Sequence, residues 1–240
     1  MPSISSSASP SATPLAVLDR VLLRSAANFA ILSEAGVSTT SGSTVSGDLG
    51  VSPIAVTAVT GFGLTLDDSG EFSISLIVAG RVYGANLAGR TPAYLTTVVG
   101  DMQTAYADAV GRVNPSYIDL SRGNLNGLTL EPGLYKWNGN VGFTNQVTFD
   151  GSADSVWILQ ITGNLYVGSG AGVLLAGGAR AENIFWQVSG LVDVGTTAHL
   201  EGIFLVKTNM AFKTGSSPNE AALAHTAVTL DAAVIVKNSV

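Results

Sequence analysis

Five short segments of the chain can be laid on one another: Asn140-Val-Gly-Phe, Asn164-Leu-Tyr-Val, Leu191-Val-Asp-Val, Asn209-Met-Ala-Phe and Ala227-Val-Thr-Leu. In each, the second and fourth residues are large and apolar, while the first and third are mostly small or polar. That alternation is the mark of a strand with one buried face. Val192, Met210 and Val228 follow one another at intervals of eighteen residues, the length of one turn of a β-solenoid. Stacked turns line up their outward residues in rows, so the chain is expected to present a flat, regular wall.

The composition fits such a wall. Only 12% of the 240 residues are charged, 46% are hydrophobic and 28 are glycine, so Ser, Thr, Ala, Asn and Gly must cover the exterior. A net charge of −6 without a Lys/Arg cluster leaves no basic contacts to release counterions from a phosphate backbone, and no nucleic-acid partner is expected. No apolar run is long enough to span a bilayer, and no membrane partner is expected either. The chain has no cysteine, which removes disulfides, thiolate metal sites and cysteine nucleophiles. Residues 1–14 lack the basic start and apolar centre of a signal peptide and read as a disordered tail. Residues 15–240 read as one domain.

Trp157-Ile-Leu-Gln-Ile-Thr-Gly matches Ile184-Phe-Trp-Gln-Val-Ser-Gly at an offset of 27, a longer turn with room for a further strand. One segment departs from the pattern. Thr91-Pro92 opens a stretch in which Leu95, Val98, Val99, Met102, Tyr106, Ala109 and Val113 recur at three-to-four spacing. This predicts one amphipathic helix over about 91–113, with Thr91 as its capping hydroxyl, laid along a flank of the stack. Strands on both sides of the helix predict a stack interrupted in sequence but continuous in space.

Residues that could do chemistry are sparse. Asp67, Asp68 and Glu71 lack the spacing of a calcium loop and read as a polar turn. His199 and His225 have no nucleophile context and read as structural. Trp137, Trp157 and Trp186 sit among Ile, Leu and Phe and read as core packing rather than a sugar platform. Asp150, Asp154 and Asp193 read as scattered rather than paired in a groove, which disfavours a polysaccharide-processing enzyme with paired carboxylates. Neither a catalytic site, a cofactor nor a metal is expected. What remains is the outward row, Asn140/Gly142, Asn164/Tyr166, Leu191/Asp193, Asn209/Ala211 and Ala227/Thr229, in which one residue is charged. A wall of this kind also suits an adhesion module that binds a polymer or partner, and the residues leave that alternative open.

Several stretches together resemble the large microbial ice-binding (antifreeze) protein family: Ser25-Ala-Ala-Asn-Phe-Ala-Ile-Leu, Ser46-Gly-Asp-Leu-Gly-Val-Ser-Pro-Ile-Ala, Leu95-Thr-Thr-Val-Val-Gly-Asp-Met-Gln-Thr-Ala-Tyr, Leu128-Thr-Leu-Glu-Pro-Gly-Leu-Tyr-Lys-Trp, Asn183-Ile-Phe-Trp-Gln-Val and His225-Thr-Ala-Val-Thr-Leu-Asp. The likeness runs from about Ser25 to Asp231. It implies a right-handed discontinuous β-solenoid of triangular cross-section with a long helix alongside. It also implies a secreted monomer that binds ice and ordered water through one flat face and slows ice growth and recrystallisation. The alternation adds Gly36, Ser38, Ala58 and Ser73 to the ice-binding row. The chain departs from the family at Asn219-Glu220-Ala221, where Asn-Gly-Arg is usual.

Overall fold

The computed structural model describes residues 18–237, so the tail expected over 1–14 lies outside them. Gly133–Trp137, Val141–Phe143 and Gln146–Asp150 make one turn of a stack; Trp157–Ile161, Leu165–Val167 and Gly172–Ala176 make the next. Equivalent strands pair in parallel, Trp157 opposite Ile184 and Leu165 opposite Val192. Then the turn shortens. His199–Val206 is one eight-residue strand whose first residue pairs with Gly172 and whose last four pair with residues 185–188. The corner that held Gly177, Gly178 and Ala181–Asn183 in the preceding turn is gone. Gly202 bends the strand instead, at φ +118°, where a Cβ would lie 2.8 Å from the Ile184 carbonyl oxygen. Only glycine fits such a backbone without strain. Ser217–Ala224 repeats the shape one turn on.

These fused strands correct the expected architecture. A triangular right-handed solenoid requires three separate walls, whereas the strands join into two sheets of sixteen and seven strands. Six parallel strands also close on themselves. Phe29–Ser33, Asp48–Val51, Val78–Gly84, Thr44–Ser46, Val234–Val236 and Ser217–Ala224 pair in that order, and the last returns to the first. The protein is therefore mostly β, a closed six-strand parallel barrel extended by further strands, with one α-helix. The physical reason is that eight-residue strands pass through a corner without breaking, so the ladders on either side of it merge.

The stack is continuous in space across the helix, as expected. Gly36–Thr39 pairs with Ala227–Leu230, so the N-terminal strands continue the stack where the C-terminal turns end. The interior is packed with Val, Leu, Ile and aromatic side chains, among them Phe143, Phe149, Phe204 and Phe212. Trp137, Trp157 and Trp186 are all buried there, and each indole N–H reaches a backbone carbonyl, of Leu120, Leu130 and Glu201 respectively. They are core residues, as their apolar neighbours predicted. Trp157 lies opposite Ile184 and Trp186 opposite Leu159, so the two do not occupy matched positions.

The helix, Thr91–Gly111, seals one flank of the large sheet. Leu95, Val98, Val99, Met102, Ala105 and Ala109 pack on Ile158, Phe185, Ile203, Leu205 and Leu223. Tyr106 is half-buried and accepts a hydrogen bond from Gln187. Val113 lies beyond the helix end and is exposed, against expectation. Thr91 is not a cap: its hydroxyl donates to the Glu71 carbonyl at 2.6 Å. At the other end Gln160 is buried under the last turn. Its amide donates to the carbonyls of Ala109 (2.8 Å), Val110 (3.2 Å) and Arg112 (2.9 Å). The terminal carbonyls of a helix have no partner within it, and one side chain of the sheet supplies them here.

Candidate functional site

The seven-stranded sheet faces solvent, and its alternation decides what it shows. Val141, Phe143, Leu165, Val167, Val192, Val194, Met210, Phe212, Val228, Leu230, Val37 and Val59 all point into the core. The residues between them point out. Gly142 pairs with Tyr166, Tyr166 with Asp193, Asp193 with Ala211, Ala211 with Thr229, Thr229 with Ser38 and Ser38 with Thr60. This single row crosses the whole sheet, about 29 Å at the usual strand spacing. A second row runs beside it through Asn140, Asn164, Leu191, Asn209, Ala227, Gly36 and Ala58. Gly36 lies opposite Ala227, and a Cβ on Gly36 would stand 3.0 Å from the Ala58 carbonyl oxygen.

Thirteen of the fourteen residues expected on one face are thus brought together. Ser73 is not. It lies in an antiparallel pairing of Ser73–Ser75 with Thr65–Leu66 in the other sheet, and it is buried. Thr60, by contrast, belongs to the row beside Ser38. Its signal is the alternation Ala58-Val59-Thr60, which repeats Gly36-Val37-Ser38.

The two ends of the face differ. Toward the Val141 end the asparagines are committed to structure. Asn140 Oδ1 accepts the Asn164 N–H and Asn164 Oδ1 accepts the Leu191 N–H, both at 2.9 Å, so each ties its turn to the next. Asn164 also donates to the Tyr166 hydroxyl at 2.8 Å, and the ring stands 44% exposed above the sheet. Asp193 is paired with Lys213 of the following turn, with Nζ 2.8 Å from Oδ1.

The other end is flat. Ala211, Ala227, Thr229, Gly36, Ser38, Ala58 and Thr60 carry no charge and nothing larger than threonine. The Ser38 and Thr229 hydroxyls are 3.4 Å apart. At its border Asp231 accepts hydrogen bonds from Thr40 (2.6 Å) and Thr214 (2.9 Å), which hold its carboxyl below the usual range. These bonds join three turns and fix the hydroxyls that edge the face.

Elsewhere, Asp150 and Asp154 prove not to be scattered. With Glu131 they line a groove of about 890 Å³ near Val113 and Pro132, whereas Asp193 lies on the flat sheet. His225 is half-buried, with Nδ1 3.0 Å from Glu34 Oε1, at the corner that leads into the flat face. Among the described residues no three His, Asp or Glu side chains converge as metal ligands. Nor is any described helix long and apolar enough to cross a membrane.

A family model described as Ice-binding-like matches residues 31–236. An ice-binding protein of Leucosporidium sp. (strain AY30) is 44% identical over 210 residues, covering 88% of this chain and 80% of that protein. An ice-binding protein of Flavobacterium frigoris (strain PS1) is 45% identical over 213 residues, covering 89% and 75%. The crystal structure of a glycosylated ice-binding protein from an Arctic yeast superposes with a TM-score of 0.91 at 43% identity, covering 92% of this chain and 95% of that one.

Proposed function

Because the chain belongs to the Ice-binding-like family, we propose that its seven-stranded sheet is the surface that meets ice, and that the flat end of the sheet supplies most of the contact. The protein is an ice-binding, antifreeze protein whose partner is the crystal surface and the water ordered on it.

The observation that supports this placement is the unbroken row from Ala211 through Thr229 and Ser38 to Thr60, set on a wall of buried valines and leucines. Short side chains on a rigid sheet have little conformational freedom left to lose on adsorption. Many weak contacts across a flat area then add up, because the ordering cost that ordinarily opposes association is small. Methyl and hydroxyl groups in alternation leave the first water layer partly ordered without binding it as tightly as charges do. Adsorbed molecules pin the crystal, and growth stops between the anchors.

We infer that the protein is not an enzyme and acts outside the cell, where it can reach growing ice. The weakly charged exterior supports the first inference.

The experiment is substitution of Ala227 by Tyr, which raises a ring from the middle of the flat end. Thermal hysteresis is expected to fall severalfold while the circular dichroism spectrum and melting temperature stay as they are. Unchanged hysteresis would move the surface to the wall that carries Thr148 and Leu174. Gly142 is a poorer site for this test, because any Cβ there lies 2.8 Å from the Tyr166 carbonyl oxygen.

A further inference from the structure

The wall that is neither under the helix nor part of the seven-stranded sheet holds a polar cluster with no role in the reading above. His199 and Glu201 alternate along one strand and so share a side of it. The neighbouring strand places Ser217 opposite His199 and Asn219 opposite Glu201. His199 Nε2 lies 2.8 Å from Glu201 Oε1, and its Nδ1 lies 2.9 Å from Ser217 Oγ. Asn219 Nδ2 donates to the same Glu201 oxygen at 3.2 Å. Glu201 is 8% exposed, and its other oxygen, Oε2, is buried with no hydrogen-bond partner. A carboxylate oxygen withdrawn from water without a donor is costly, and such an atom calls for a counterpart.

We propose that His199, Glu201 and Asn219 form a site for a divalent transition-metal ion of the zinc class. An imidazole nitrogen and a carboxylate are donors that zinc takes in near-tetrahedral sites. His199 is 45% exposed along its side chain, so an ion has a path from solvent. With Nδ1–H donated to Ser217, the Nε2 lone pair faces Glu201, and the ion takes the place of the ring-to-carboxylate hydrogen bond. Ser217 then acts as the outer partner that fixes the ring tautomer. Turning over the Asn219 amide presents Oδ1 in place of Nδ2. Water fills the remaining position. The second carboxylate oxygen gains a cation beside it, which the metal-free arrangement does not give it.

The chain has two histidines and no cysteine, which makes the test direct. Protein without an affinity tag is titrated with zinc chloride by calorimetry while the histidine ring signals are followed by NMR. The expected result is saturable one-to-one binding that shifts the His199 ring and leaves His225 in place. His199→Gln abolishes it, and Ser217→Ala weakens it about 10–100-fold, the usual cost of removing an outer-shell partner. Melting curves establish that both variants are folded. No saturable heat, binding that survives His199→Gln, or a shift confined to His225 would overturn the site. None of these readouts depends on ice, so failure here leaves the flat face untouched.

Discussion

Glu220 lies in register with Gly202, and both backbones bend through positive φ, +95° and +118°. The bend that lets a strand pass a corner is therefore made twice in succession, once with the residue suited to it and once without. Glu220 is buried, and its carboxylate is 3.6 Å from Lys237.

Gly202→Ala is expected to cost roughly 2 kcal/mol, from left-handed strain together with the close approach to Ile184. Glu220→Gly is expected to be near neutral, since relief of about 1–2 kcal/mol of strain is offset by the lost ion pair and the greater freedom of glycine in the unfolded chain. Chemical denaturation of the two variants gives the comparison. Equal destabilisation would show that the two bends are not alike in backbone energy.

Gln160→Leu leaves the carbonyls of Ala109, Val110 and Arg112 without their donor. A loss of about 1–3 kcal/mol follows from stranding buried acceptors. Hydrogen exchange should quicken at the C-terminal turns of the helix ahead of the rest of the chain. Thermal hysteresis measured well below the melting point should not change, because the helix and the flat face lie on different walls.

Thr60→Tyr and Thr229→Tyr should both depress hysteresis, and Thr148→Tyr, on the strand Gln146–Asp150 of the larger sheet, should not. At the other end of the face, Tyr166→Thr removes the one ring that stands above the sheet and should raise hysteresis or enlarge the area of ice contacted. A loss with Tyr166→Thr equal to that with Thr229→Tyr would mean that the ring itself touches ice.

Burial holds the His225 imidazole below its ordinary value, against the pull of Glu34 and helped by the charge of Lys207. A ring that is harder to protonate folded than unfolded contributes stability that is complete above about pH 6.5. That contribution is lost as pH falls through this value toward the lower folded one. Melting temperature should therefore drop on mild acidification, and His225→Gln should flatten the dependence over that window. A parallel drop in the variant would assign the effect to carboxylates instead.

Much of the flat face was legible because a strand's alternation is local. Val192, Met210 and Val228 stack as their eighteen-residue interval predicted, and the helix lies where its apolar spacing put it. What alternation leaves out is which strands close on which. Ile31 pairs with Ala222, and no periodicity links residues so far apart in the chain. Ser73 shows the same limit from the other side. Ser73-Ile-Ser alternates like a strand of the stack, yet it folds back as an antiparallel pair, and nothing in three residues distinguishes the two. Thr91 has the sequence setting of a cap, but its hydroxyl answers to a distant carbonyl, that of Glu71, which only the fold brings near.

The pairing of Gly36–Thr39 with Ala227–Leu230 has a consequence for biosynthesis. On a ribosome the early strand must wait, its edge unpaired, until nearly the whole polypeptide has emerged and Ala227–Leu230 can dock beside it. Topologies that depend on such distant partners assemble slowly. Half of the surface comes from one end of the message and half from the other, so a prematurely terminated product displays only a fragment of it.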